Sequence, residues 1–69
     1  MTPEEREKIL DVICTADRGA CARCVHDLLD RLRMVLPDEP WPKEFTRDEM
    51  WARHRKVEEP FQALLESKP

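Results

Sequence analysis

Sixty-nine residues are enough for one small domain. A chain this short buries only about 60% of the surface its unfolded form exposes, so its core is marginal. Apolar residues make up 41% and charged residues 39%. The apolar residues are clustered, which excludes a disordered chain, and the net charge of −3 argues against non-specific nucleic-acid binding as the main role.

One Gly, no Tyr and few β-branched residues, beside abundant Leu, Ala, Glu, Lys and Arg, predict helices. The opening "MTPEEREKIL" has no long apolar run, so neither a signal peptide nor a transmembrane helix is expected. With an odd number of cysteines, the expected compartment is the reducing cytoplasm.

The first helix is expected over about residues 3–16. Thr2 caps it, Pro3 suits the first helical position, and Glu5 completes a capping box. Ile9, Val12, Ile13 and Ala16 share a face, flanked by Leu10 and Cys14. Glu4, Glu5, Glu7 and Asp11 read as a solvated acidic face well placed near the helix start. Asp17, Arg18 and Gly19 form the expected turn, with Gly19 free to take a left-handed conformation.

The second helix is expected over about 20–36. Cys21, Val25, Leu28, Leu32 and Val35 form a heptad-like stripe, which Cys24, Leu29 and Leu36 widen. The segment 37–45 then holds three prolines in six residues, which stop the helix and favour an extended loop. Trp41 lies between two of them, as a lid on the bundle end or as an exposed anchor for a partner.

Thr46, with Glu49 three residues on forming a second capping box, starts a third helix over about 47–66. Met50, His54, Val57, Phe61 and Leu64 keep one phase through Pro60, so one helix kinked there is preferred over two separate helices. This stripe could serve the intramolecular core or a homodimer seam. The expected architecture is all-α: a small antiparallel three-helix bundle forming a single domain over 1–69.

The three cysteines lie in "CTADRGACARC", separated by six and then two residues. Cys14, Cys21 and Cys24 with His54 are the zinc set that this spacing suggests. The favoured reading is packing: Cys21 and Cys24 fall on the core face of the second helix, His26 points away from them, and His54 is expected level with Leu29, too far along the bundle. Asp17 is a less usual further ligand. No cofactor is therefore expected, with zinc as the competing possibility.

For function, "RDEMWARHRK" sets Trp51 off the apolar stripe, between Arg47 and Arg55, which stand four residues to either side and can stack on its ring. Trp and Arg are the types most enriched at interface hot spots. Trp51, Arg47, Arg55, Lys56 and Trp41 are the candidate partner-binding residues. An alternative is a zinc-stabilised module that meets nucleic acid with Arg53, His54, Arg55 and Lys56, although nearby acids dilute that charge. No glycine-rich phosphate loop, Ser-His-Asp set or apolar carboxylate pair is present, so no enzyme is expected.

The run "ADRGACARCVHDLLDRL", followed shortly by "LP", resembles small uncharacterised proteins of bacteriophages and their bacterial hosts, in which a Gly- and Cys-containing turn leads into a Leu-rich helix. The resemblance implies no activity. It points to an accessory protein that binds a host or phage factor, which a phage or mobile-element regulator or inhibitor of a host protein would suit.

Overall fold

The computed structural model describes residues 1–16 and 21–67. The expected turn at Asp17, Arg18 and Gly19 lies outside them. Among the described residues there are three helices and no strand: α1 (Pro3–Ile13), α2 (Ala22–Val35) and α3 (Arg47–Glu66). α1 packs most extensively against α3 and also against α2.

The capping box of α1 forms as read. Thr2 Oγ1 accepts from the Glu5 N–H at 3.1 Å, and Glu5 Oε1 accepts from the Thr2 N–H at 3.3 Å and its hydroxyl at 2.9 Å. These bonds hold the Glu5 carboxyl below its ordinary range. The helix ends at Ile13 rather than Ala16 because Thr15 tightens the last turn. Its N–H and hydroxyl both donate to the Val12 carbonyl, at 2.9 and 2.6 Å.

α2 starts after Cys21, which caps with its backbone alone, and ends at Val35. The segment 37–45 then folds back along α2 as an extended strap. Trp41 Nε1 donates to the Leu36 carbonyl at 3.0 Å, Arg33 donates to the carbonyls of Pro42 (3.2 Å) and Lys43, and the Phe45 N–H donates to His26 Nε2 at 3.0 Å. The partners 36–41, 33–42/43 and 26–45 run in opposite order along the two segments, so the strap is antiparallel to the helix. His26 accepts at Nε2, so its proton sits on Nδ1, which donates to the Ala22 carbonyl at 2.7 Å.

Thr46 caps α3 by accepting from the Glu49 N–H at 3.1 Å. The Glu49 carboxylate reaches Arg53. α3 runs as one helix through Pro60, where the missing N–H leaves the Lys56 carbonyl without its usual helical donor.

The core is Leu10, Cys14, Val25, Leu29, Trp41, Phe45 and Met50, with His54 as its buried polar member. Trp41 and Phe45 come from the strap, so the loop supplies core that a fuller bundle would take from helices. Ile9, Ile13 and Leu32 lie at the edge.

The expected helix faces are rotated by about one residue in two places. In α1, Leu10 and Cys14 are buried, whereas Val12 is 56% exposed. In α2, Val25 and Leu29 take the core position, whereas Cys24 is exposed and Val35 is 74% exposed. Cys24 is therefore not a core residue, and Cys21 is half-buried at the helix cap.

Candidate functional site

The surface around Trp51 is built on the packed first half of α3. Met50 and His54 face the core, so Trp51, one residue on from Met50, is turned toward solvent and is 38% exposed. Its ring meets His54 edge-on, with centroids 5.4 Å apart. His54 is itself fixed, its Nδ1 donating to the Cys14 carbonyl at 3.0 Å. The indole is thus braced on one side by a buried, hydrogen-bonded ring, which limits the entropy lost when its exposed side is covered.

Arg47 and Arg55 lie four residues before and after Trp51 on the same exposed stripe, with Lys56 beside them. The arginine that lies over an aromatic ring is Arg53, whose guanidinium is 5.2 Å from the Phe45 centroid. Trp41, named from the sequence as a lid or an anchor, is 8% exposed and takes the lid role. Its buried ring leaves it no place in an exposed partner surface.

Arg53 is the residue that sequence reasoning placed least well. Its side chain is 12% exposed and contacts three carboxylates: Glu7 and Asp11 of α1, each at 2.7 Å, and Glu49 at 3.4 Å. Burial alone would pull its pKa down, but hydrogen bonds and charge from Glu7 and Asp11 outweigh this and hold the guanidinium charged. Glu7 and Asp11 are therefore not merely a solvated face. They clamp α3 to α1 in the phase that buries Leu10 and Cys14. Arg53 and His54 are also removed from the set proposed to meet phosphates, which leaves Arg55 and Lys56.

The structure places the candidate metal ligands in different settings. His54 and Cys14 are brought together, contrary to the expected register, although the contact is to the Cys14 backbone carbonyl. Burial pushes the Cys14 thiol up to about 11 against the pull of Arg53, with Asp11 and Glu49 adding to the rise. A thiol held neutral is a poor ligand and a poor nucleophile. Cys21 and Cys24 lie at the start of α2, half-buried and exposed. Among the described residues, no group of three or more His, Cys, Asp or Glu side chains is placed to hold a metal ion. Asp17 lies outside them. No helix among the described residues is long and apolar enough to cross a membrane.

Two shallow apolar hollows lie on α1 and α2 beside the core. One, of about 250 Å³, is lined by Lys8, Ile9, Val12 and Ile13; the other, of about 210 Å³, by Ile13, Leu28, Arg31, Leu32 and Val35. Both are lined by Ile13, where they adjoin, and the two together make the apolar α1–α2 groove. Its apolar members are largely the residues that the sequence pattern assigned to the core.

Compared with known protein families, with curated proteins and with solved structures, the chain matches none.

Proposed function

We propose that this protein works by binding another protein and has no chemistry of its own. The observation that carries this reading is the exposed stripe Arg47–Trp51–Arg55, with Lys56 beside it, backed by the buried His54. A large, stiff aromatic braced from behind and flanked by cations suits an apolar socket rimmed by acidic residues. The occupied guanidinium of Arg53 reduces the charge left for phosphates and favours a protein partner over nucleic acid. A cytoplasmic accessory protein that occupies a regulatory surface of its partner fits this face, and antiparallel packing of the three helices would keep the stripe rigid.

The test is affinity capture from the native host with the intact chain and with Trp51→Ala. The side chain is partly exposed, so the variant is expected to keep its helicity by circular dichroism while losing the captured protein. Trp51→Phe is expected to retain part of it. Undiminished capture by a folded Trp51→Ala variant would place the interface elsewhere.

A further inference from the structure

α3 has a free apolar end. From Glu59 onward every described residue is exposed, and Phe61, Leu64 and Leu65 are 52%, 64% and 46% exposed. Their spacing puts them on one face of a helical arm of eight residues, about 12 Å long at the usual rise. The elongated outline of the molecule, 44 × 25 × 18 Å, fits such an arm. The α1–α2 groove carries the complementary pattern: Ile9, Val12 and Ile13 on one wall, Leu28, Leu32 and Val35 on the other.

We infer that the arm of one chain lies in the α1–α2 groove of a second copy, reciprocally, forming a two-fold dimer. Three observations commit the groove to this occupant. The first is shape: an amphipathic helix with i, i+3, i+4 anchors is what a two-helix groove accepts. The second is charge: the polar groups lining the groove are Lys8 and Arg31, while Glu58, Glu59 and Glu66 flank the arm's apolar residues. The third is reach: Phe61, Leu64 and Leu65 are exposed in their own chain, so the arm does not fill its own groove. One short arm in one groove is a small contact, and the reciprocal pair brings the buried area toward the roughly 1,200–2,000 Å² of a stable interface. With each arm in the other chain's groove, the two-fold arrangement uses both arms and both grooves and closes at two copies. The Trp51 stripe takes no part in it.

The test is sedimentation equilibrium on the full chain over a dilution series. The expected mass at high concentration is twice the 8.2 kDa of one chain. An arm variant, Phe61→Ser with Leu64→Ser, and a groove variant, Val12→Glu with Val35→Glu, alter only side chains exposed in the monomer. Each is expected to be monomeric and helical, and Trp51→Ala to remain dimeric. Mixing the arm and groove variants restores one intact contact, so a heterodimer at least tenfold weaker than the native dimer is expected. A photo-crosslinker at position 64 of the otherwise native chain is expected to mark α1 or α2 of the other copy. A monomeric native chain, a groove variant that dimerises like the native chain, no heterodimer on mixing, or a crosslink to the other copy's α3 would each overturn the inference.

Discussion

The two halves of α3 share one apolar phase and have opposite fates. In the first half, Met50 and His54 are buried, Arg53 is clamped by α1, and Thr46 caps the start. In the second half, Phe61, Leu64 and Leu65 continue the same stripe into solvent. The difference lies in what stands opposite. α1 is eleven residues long and the strap ends at Phe45, so neither provides core past about Val57. Helical periodicity specifies which face is apolar; the length of the neighbouring elements decides how much of it is covered.

The sharpest test of this contrast is Met50→Ala. Met50 is 3% exposed, and truncating a buried Met leaves a cavity as well as removing buried area. A loss of about 3 kcal/mol is expected by urea titration. In a domain of this size, that lowers the melting temperature by roughly 12 °C or more. A loss below about 1 kcal/mol would mean that the first half is no better packed than the second.

Arg53→Met comes next. It removes the cation on which Glu7, Asp11 and Glu49 converge and leaves the half-buried Asp11 without it. Glu7 and Glu49 are partly solvated, so the expected loss is about 2 kcal/mol rather than the 3–5 of a fully buried pair. Arg53→Lys keeps the charge but not the fork that spans two carboxylates, and is expected to recover part of the loss. Equal stability of Arg53→Met and the native chain would show that the clamp contributes nothing.

A third test uses pH. The folded Cys14 thiol is raised to about 11 by burial, while in the unfolded chain it ionises near its ordinary value. The unfolded state therefore loses this proton first as pH rises. Stability from this group is complete below the ordinary thiol range and is lost progressively up to about pH 11. By about pH 10 the expected loss is about 1 kcal/mol, absent in Cys14→Ala. Matching alkaline slopes in the two proteins would mean that Cys14 is not sealed beneath His54. A thiol reagent at neutral pH gives a second readout, with Cys14 modified only as fast as the chain opens.

What could be read from the sequence was local. Thr2–Glu5, Pro3 and Thr46 are punctuation within a turn: the first capping box forms in full, and of the second only the Thr46 half is made, with the Glu49 carboxylate on Arg53. The strap was legible as three prolines, but Trp41 stood open between a lid and an exposed anchor, and only its burial decides for the lid. The phase of α1 was not, because apolar count alone favoured Ile9, Val12 and Ile13. The observed phase goes with a charge match across 42 residues, Asp11 to Arg53. A signal for it existed: Arg53 follows Met50 by three and precedes Val57 by four, which puts it at the edge of the core stripe, whereas Arg47 and Arg55 follow the phase of Trp51. The bond from the Phe45 N–H to His26 left no such trace, since it joins residues 19 apart through a loop whose path no periodicity specifies. At the candidate site, the outward placement of Trp51 followed from periodicity. The brace behind it did not, because it depends on the non-local bond between His54 and the Cys14 carbonyl.

The smallest effect is the most discriminating for the open half of α3. Leu64 is 64% exposed, so Leu64→Ala removes little buried area from an isolated chain. In dilute solution its stability is expected to stay within about 0.5 kcal/mol of the native value. Alanine is also the better helix former, which offsets part of any loss. At high concentration the same substitution removes an anchor of the proposed dimer. Native stability is then expected to rise with concentration while that of Leu64→Ala stays flat. Thermal melts of both proteins across a hundredfold range of concentration separate the contributions. If the two proteins melt together at every concentration, the end of α3 is a free arm with no second copy to cover it. If Leu64→Ala already loses 2 kcal/mol when dilute, the residue is buried within its own chain and the contrast between the halves fails.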